Sequence, residues 1–428
     1  MIFRILLLVG VTVLLSQNAL SKTTIIYAGE LLAIPGDKVL KNSTVVIEDK
    51  KIKQVLKGFV DVKKIDEKAE VIDLKNSFVL PGLMDMHVHL QGELGPNNIK
   101  DNLKMSAQLK GMRSTYYGMK TLLAGFTTVR DAGSDSQYMY AYRDAVNKGW
   151  VDGPRIIAAG GVGITGGHAD VSGVKPDLME FYTDKSICDG PYDCRRAARD
   201  AIKYGADWIK ITSTGGVMTD RATGTGQQME ADELKEVVLA AKRMGKKVAS
   251  HAHQEDGIIA ALEAGVASIE HGTYTGPKAI QLFKKTGAYL VPILLAGDTV
   301  VKMAKTTDIL SPAVKQKALK VGADMQGNFG KAYKAGVKIA FGTDSGVSKH
   351  GTNAQEAVLM VEAGMPAMQV IKSATVNTAD LLDMTESIGT IEAGKYADII
   401  AVDKSPLKDI KELLDVKFVM KEGKIYKR

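Results

Sequence analysis

The chain has 428 residues, of which 45% are hydrophobic and 25% are charged, and its formal net charge is +7. This composition fits a globular protein with one large domain and a small second one, and it excludes fibrous, repetitive and largely disordered classes. Aromatic residues make up only 6%, and the basic residues are scattered, so no nucleic-acid partner is expected.

The N-terminus is typical of a secretory signal peptide. Arg4 precedes an apolar run over residues 5–15, and residues 19–21 place small side chains where a signal peptidase cleaves. We therefore predict that residues 1–21 are removed and that the mature chain is periplasmic or secreted, without stable membrane association. The alternative is an uncleaved anchor, although the apolar run is short for a membrane span.

Short β-branched runs dominate both ends of the mature chain. Residues 24–27 and 43–47 read as strands separated by turns, and similar runs return at residues 397–402 and 416–420. We predict one small β-sandwich domain, built from residues 22–80 plus 385–428.

Between residues 81 and 384, short apolar strands alternate with helical stretches, which predicts parallel βα units. The strand candidates are Phe78–His89, Thr127–Asp131, Arg155–Ile164, Asp207–Thr212, Lys247–His253, Ser268–His271, Tyr289–Leu294 and Lys338–Asp344. Eight such units predict an α/β fold with a closed (β/α)8 TIM-type barrel. Gly265 and Gly287 fall just before strands, where helices are expected to stop.

Cys188 and Cys194 are the two cysteines of the sequence. In an exported protein, this spacing favours a local disulfide over a metal site.

Histidine pairs mark the ends of two predicted strands. His87 and His89 are alternate residues of the first strand, so both side chains should point into the barrel mouth, where such barrels place their chemistry. His251 and His253 repeat the pattern at the fifth strand. Imidazole is a good ligand for zinc and similar ions. The alternative, core histidines with structural partners, is less suited to two such pairs.

Two further strand ends carry metal-type ligands. His271 ends the sixth strand and Asp344 the eighth. Alone, Asp344 is equally suited to cap a turn, but four strand ends with such residues together predict a metal site.

Lys210 is a charged residue in an otherwise apolar strand. Burial of a charged lysine is costly and lowers its pKa. A neutral amine can react with carbon dioxide, and the carbamate is an anionic ligand with two oxygens that can bridge two metals. The alternative is a lysine that extends to the barrel rim.

With these residues, the sequence resembles the amidohydrolase superfamily over about residues 23–425. The matching features, in the family's order, are His87-Val88-His89, Lys210, His251, His271, Asp344 and the closing segment 389–398. Within the superfamily the chain looks like the imidazolonepropionase-related branch, which holds prolidases and metal carboxypeptidases. The pointers to this branch are residues 166–170, 226–228, 250–253 and 342–346.

The resemblance implies two divalent cations, expected to be zinc. The implied ligands are His87, His89 and Asp344 for one ion, His251 and His271 for the other, and carboxylated Lys210 as the bridge. His251 is preferred to His253 because related enzymes place the ligand first in such a pair. His253 is then expected to contact the substrate.

The resemblance also implies a mechanism in which a hydroxide that bridges the metals attacks the substrate and Asp344 transfers its proton to the leaving amine. His168 is a candidate for stabilising the oxyanion, or else a histidine that stabilises a turn. Arg221 and His350 are candidates for binding the substrate, with an ordinary solvated role as the alternative.

The implied substrate is a small peptide with a free C-terminal carboxylate, and the leading prediction is an Xaa-Pro dipeptidase. A carboxypeptidase for Xaa-Arg or Xaa-Lys is the first alternative, which would need a pocket carboxylate from Asp170, Asp220 or Glu255. A cyclic-amide hydrolase or deaminase is disfavoured by Lys210 and by Gln254. A lactonase or a phosphotriesterase-like activity, which keeps the lysine, is a further alternative. A non-catalytic binding barrel is disfavoured by the intact ligand set. The sequence also allows a homo-oligomer.

Overall fold

The computed structural model describes residues 22–221 and 223–428. The predicted signal peptide lies outside the described residues. The strands are, in chain order, β1 (Thr23–Leu31), β2 (Leu40–Glu48), β3 (Lys51–Lys57), β4 (Glu70–Pro81), β5 (Leu83–Val88), β6 (Phe126–Asp131), β7 (Arg155–Ile164), β8 (Ile187–Cys188), β9 (Trp208–Thr212), β10 (Val248–Ala252), β11 (Ser268–His271), β12 (Tyr289–Val291), β13 (Lys338–Ile339), β14 (Ile399–Val402), β15 (Phe418–Lys421) and β16 (Lys424–Lys427).

The α-helices of the same residues are α1 (Asn98–Lys104), α2 (Ala107–Leu123), α3 (Ser136–Asn147), α4 (Pro176–Tyr182), α5 (Gly190–Lys203), α6 (Ala231–Arg243), α7 (Glu255–Ala264), α8 (Pro277–Thr286), α9 (Leu294–Thr306), α10 (Pro312–Lys334), α11 (Gln355–Glu362), α12 (Ala367–Ser373) and α13 (Val376–Leu381). Among these described helices, none combines the length and the hydropathy that crossing a bilayer requires.

Eight parallel strands form the barrel, in the spatial order β13-β12-β11-β10-β9-β7-β6-β5. The two ends of this sheet meet directly: Met86 N donates to Phe341 O at 2.8 Å, and Asp344 N donates to His87 O at 2.7 Å. The predicted (β/α)8 barrel is therefore confirmed, with helices packed around the strands.

The two chain ends form a separate seven-stranded sheet in the order β16-β15-β14-β4-β1-β2-β3. Ile52 near one edge of this sheet and Met420 near the other belong to the same hydrophobic cluster. The sheet therefore curls over its own core, and the predicted small β-sandwich is confirmed as part of the fold. The exact boundaries, residues 22–80 plus 385–428 for this domain and 81–384 for the barrel, stay a prediction.

Helix α6 illustrates how the local sequence produces a barrel helix. Leu234, Val237 and Ala241 lie on one face and are buried against the strands. Glu230 and Glu233 form a capping box at its start, which satisfies backbone N–H groups that the helix itself leaves free.

The first barrel strand is shorter than predicted, because the segment Phe78–His89 is divided between two sheets. β4 ends at Pro81 in the small sheet and β5 begins at Leu83 in the barrel. Gly82 lies between the two strands and lets the backbone pass close to Thr127, since a Cβ there would lie 2.3 Å from Thr127 Oγ1.

Strands β12 and β13 also end several residues earlier than predicted. β12 stops at Val291 because Ile293 adopts a left-handed conformation, with φ of 57°, and Leu294 starts α9. β13 stops at Ile339, and Asp344 is also left-handed, with φ of 55°. Such a conformation is uncommon for residues other than glycine, so surrounding contacts must hold both turns.

Cys188 and Cys194 form the disulfide that their spacing favoured. The bond joins the end of β8 to the first turns of α5.

Candidate metal centre and active site

The carboxyl ends of the barrel strands open into a cavity of about 490 Å³. Most of the residues singled out in the sequence line it, namely His87, His89, His168, Lys210, His251, His253, His271 and Asp344. They are far apart in sequence and come together because all eight strands run in the same direction and end at the same face.

His87, His89 and Asp344 form the first potential ligand group, in which one donor atom of each lies within 4.8 Å of the others. His89 Nε2 is 2.8 Å from Asp344 Oδ1, and His87 Nε2 is 3.7 Å from the same oxygen. The two histidines are presented together because they are alternate residues at the end of β5.

Asp85 supports the turn that carries Asp344. Its Oδ2 accepts hydrogen bonds from Thr343 Oγ1 at 2.6 Å and from Asn353 Nδ2 at 2.8 Å, and its Oδ1 accepts from Thr343 N at 3.1 Å. Burial raises the pKa of Asp85 to about 6, although these hydrogen bonds act in the opposite direction. The buried carboxyl thus fixes the backbone next to the ligand.

His251, His253 and His271 form the second potential ligand group, again with donor atoms within 4.8 Å of one another. Burial lowers the pKa of each imidazole, and neighbouring imidazoles lower it further, to about 3 for His253. The rings are therefore neutral, which is the form that binds a metal. Because both His251 and His253 belong to the group, the choice between them stays a prediction.

Lys210 lies in the same cavity and is only 8% exposed. On β9 it is in register with Ala249 of β10 and Gly161 of β7. Burial lowers the pKa of Lys210, which favours the neutral amine that can take up carbon dioxide. When charged, Lys210 lowers the pKa of both His87 and His271, so it lies within electrostatic reach of both ligand groups.

Glu270 and Arg130 lie behind the first group. Glu270 Oε2 is 2.8 Å from His87 Nδ1, and its Oε1 accepts a hydrogen bond from Arg130 Nη2 at 2.7 Å. Burial alone would raise the pKa of Glu270, but the Arg130 guanidinium and the His87 contact lower it to about 2. An ionised carboxylate therefore holds the His87 ring with Nε2 directed to the cavity.

The donor set fits divalent cations. Asp344 Oδ1 is buried and, within the described part of the chain, has no hydrogen-bond donor of good geometry, although His89 Nε2 is close. A buried oxygen without a donor is costly, and a cation would satisfy that oxygen and the neighbouring imidazoles together.

His168 lies on the loop after β7, with its ring centroid 4.4 Å from that of His251. Its Nδ1 is 2.5 Å from Thr219 Oγ1. Burial lowers the pKa of His168 to about 4, and nearby Lys210 adds to the effect. If the Thr219 hydroxyl donates to Nδ1, the proton of the neutral ring is on Nε2, where it is available as a donor.

Arg221 and His350 are not among the residues that line the cavity. The Arg221 guanidinium donates to the carbonyl oxygens of Gly166 and Val171, so it joins two loops. His350 is buried, with Nε2 2.9 Å from Gly92 O and its ring against Tyr117. The structure does not bring either residue to the position expected of a substrate contact, because these closer partners hold the side chains elsewhere.

The three acids suggested for binding a basic substrate also lie off the cavity. Asp170 accepts from the backbone of its own loop, and Glu255 accepts from Ala279 N at the start of α8. Two other carboxylates, Asp135 and Asp184, do line the cavity.

One part of the cavity wall is apolar. It is formed by the loop after β9 and by helices α9 and α10, through Val217, Met218, Ala296, Gly297, Val300, Ala318, Val321, Gly322 and Met325. One side of the cavity thus carries the ligand groups and the other can accept an apolar side chain.

Sequence reasoning missed Glu270, Arg130 and Thr219. The first two were detectable in principle, since each is a charged residue within a predicted barrel strand, where burial of an unpaired charge is costly, as it is for Lys210. Thr219 offered no such signal, because its role depends on a contact with a residue of another loop.

The chain is similar in sequence and fold to several known proteins. Ochratoxinase from Aspergillus niger is 32% identical over 432 residues, which cover 95% of this chain and 87% of that protein. The crystal structure of a Xaa-Pro dipeptidase with methionine bound in its active site superposes with a TM-score of 0.90 at 41% identity, covering 95% of this chain and 100% of the other. A prolidase in complex with N-methylphosphonate-L-proline has a TM-score of 0.85 at 29% identity, with 95% and 100% coverage.

The model of the amidohydrolase family matches residues 78–426, which include the whole barrel and the last strands of the small domain. The match therefore contains both ligand groups and Lys210. The chain belongs to the amidohydrolase family and is a hydrolytic enzyme.

Proposed function

We propose that the protein is a dipeptidase with two divalent metal ions, most simply zinc, that hydrolyses the C-terminal peptide bond of Xaa-Pro dipeptides or short peptides. The observation that carries this proposal is the presence of two separate ligand groups in one cavity with Lys210. The similar proteins named Xaa-Pro dipeptidase and prolidase support the substrate class.

In this proposal His87, His89 and Asp344 would hold one ion, and His251 and His271 would hold the other. Lys210, as a carbamate, would supply an anionic ligand to the pair. Bound divalent cations would supply an activated water at neutral pH and would polarise the scissile carbonyl.

The chain's own residues then move the proton and the charge. The Asp344 carboxylate accepts a proton from the attacking water and delivers it to the leaving amine, a role that needs a carboxylate at the cavity surface. His168 donates from Nε2 to the oxygen that becomes negative when the carbonyl is attacked. His253 contacts the substrate if His251 is the ligand.

The apolar wall favours proline or another aliphatic residue in the substrate. Val217, Val300 and Met325 offer carbon surface without a charge partner, so the head group of a lysine or arginine side chain held against this wall would be desolvated and unpaired. A cavity of about 490 Å³ lies in the usual range for small-molecule sites.

One observation favours a second candidate, hydrolysis of Xaa-Arg or Xaa-Lys. Asp135 and Asp184 both line the cavity. The pKa of Asp135 is raised, mainly by burial and also by the negative charge of Asp184, so the two carboxylates interact. A basic side chain that reached these carboxylates would be paired.

Assays with a panel of dipeptides distinguish the two candidate functions. Zinc-loaded enzyme is assayed with Leu-Pro, Leu-Met, Leu-Arg and Leu-Lys, and with Leu-Pro amide as the control without a free carboxylate. We expect the highest kcat/KM for Leu-Pro and little turnover of the amide. Preference for Leu-Arg and Leu-Lys, lost in Asp184→Asn, would support the second candidate instead. No hydrolysis of any dipeptide would refute both.

We also propose that the mature protein is exported. The disulfide between Cys188 and Cys194 fits an oxidising compartment. Cell fractionation with N-terminal mass spectrometry tests this: we expect a periplasmic or secreted product that begins near residue 22, and a cytosolic product with its first residues intact would contradict export.

A further inference from the structure

A short loop after β9, residues 215–221, lies between helix α10 and the loop that carries His168. We call it the positioning loop. Lys317 of α10 approaches it from one side: its Nζ donates to Gly216 O at 3.0 Å, to Thr219 O at 2.6 Å and to Arg221 O at 3.0 Å. An ammonium group has three donors, so this loop uses all of them.

On its other side the positioning loop contacts the His168 loop at several points. Thr219 Oγ1 is 2.5 Å from His168 Nδ1, and Arg221 donates to Gly166 O and Val171 O on the two sides of His168. The ring also packs closely on the loop backbone, since a Cβ on Gly216 would lie 2.2 Å from a ring carbon. The backbone of the positioning loop therefore determines where the His168 ring can lie.

Lys317 also connects the positioning loop to the apolar wall of the cavity. The next residue of α10, Ala318, lines the cavity, as do Val217 and Met218 of the positioning loop itself. A lysine that served only solubility would extend into solvent, whereas Lys317 is partly buried and its head group is enclosed by carbonyl oxygens.

We propose that Lys317 is a positioning residue: by holding the positioning loop, it orients Thr219 and thereby the His168 ring for its role in hydrolysis. Lys317 does not touch the substrate. The kinetic part of this inference rests on the proposed function, whereas the structural part, that Lys317 orders the His168 loop through residues 215–221, does not.

The kinetic test is a double-mutant cycle with Lys317→Met and His168→Ala, assayed on Leu-Pro. Lys317→Met is expected to lower kcat roughly 10- to 100-fold with a smaller change in KM, because a misplaced group next to the reaction costs turnover. In the His168→Ala background the same change should cost less than about 3-fold, because the group it positions is gone. An equal loss in both backgrounds would overturn the proposal.

Two further variants make the cycle specific. Thr219→Val keeps the side-chain shape and removes the hydroxyl, so it should reproduce the loss of kcat and show the same dependence on His168, even if Lys317→Met folds poorly. Lys315→Met, on the same helix, removes a lysine that pairs with Asp308 and should leave kcat unchanged. A fall in kcat for Lys315→Met comparable to that for Lys317→Met would indicate a general effect of α10 and refute the specific role.

Hydrogen exchange tests the structural part without any substrate. In Lys317→Met, backbone exchange should become faster both in residues 215–221 and in residues 164–171, while the strands keep their protection. Unchanged exchange in residues 164–171 would refute the link to His168. If the wild-type enzyme hydrolyses no dipeptide but the exchange result is as expected, the proposed function fails and the positioning role stands.

Discussion

Glu270 joins the His87 imidazole to the Arg130 guanidinium, with 2.8 Å from its Oε2 to His87 Nδ1 and 2.7 Å from its Oε1 to Arg130 Nη2. All three side chains are buried, so the carboxylate can ionise only because both partners stabilise its charge. The contact fixes which ring nitrogen of His87 faces the cavity.

Glu270→Gln should therefore weaken the binding of metal. The amide keeps the shape but has only one acceptor oxygen, and its NH2 group would face a donor, so it cannot accept from both the imidazole N–H and the guanidinium. We expect affinity for zinc, measured by competition with a chelator, to fall roughly 10- to 100-fold. Unchanged affinity would show that His87 is oriented without the carboxylate. Circular dichroism of the zinc-loaded variant controls for loss of the fold.

Asp344→Asn should keep the fold and lose turnover. The amide cannot accept a proton from water, and loss of a general base typically lowers the rate about 10²- to 10⁴-fold. The measurement is kcat on Leu-Pro, with zinc content determined on the same sample, because Asp344 is also a proposed ligand. Unchanged turnover would remove Asp344 from the mechanism.

Lys210→Ala should lower zinc content and reduce kcat/KM by more than roughly 100-fold, because the bridging ligand is lost. Metal-free wild type loaded with ¹³C-bicarbonate should show a carbamate carbon signal that the variant lacks. Lys338→Ala is the matched control, since it removes a lysine from β13 that pairs with Asp380 outside the cavity. A carbamate signal that persists in Lys210→Ala would assign the modification to another lysine.

Glu356 predicts a pH dependence of stability. Its carboxyl is buried and accepts from Leu294 N and Leu295 N at the start of α9, and burial raises its pKa from 4.5 to about 8. Between these two pH values the folded state holds the proton that the unfolded state has lost, so this group makes folding less favourable as pH rises.

Glu356→Gln removes that dependence, because glutamine does not titrate. The melting temperature of the variant relative to wild type should rise between pH 5 and pH 8.5, by roughly 2–4 °C. Glu362→Gln, at an exposed position of α11, the helix that also carries Glu356, should show no such trend. A difference between variant and wild type that is constant across this pH range would contradict a raised pKa for Glu356.

Much of the site could be predicted because it lies at strand ends. The position of His87, His89, His251, His253 and His271 at the barrel mouth follows from two rules, the alternation of side chains along a strand and the common direction of parallel strands. Lys210 followed from the cost of burying a charge. These rules need only the local sequence and the fold class.

Loop residues could not be placed in the same way. Arg221 and His350 had the right chemistry and suitable positions in sequence, yet backbone carbonyl oxygens and the Tyr117 ring hold them away from the cavity. Asp135 and Asp184 line it without any motif that would single them out.

The amino-acid sequence by itself determined the barrel and the candidate ligands at its strand ends, because hydrophobic periodicity and the residues at strand ends are local properties. The order of these residues along the chain indicated the family. Only the tertiary structure decided which loop residues face the cavity and which support them. The contact of Lys317 with residues 215–221, for example, joins segments about 100 residues apart in sequence. Neither the periodicity nor the spacing of residues along the chain indicates such a contact.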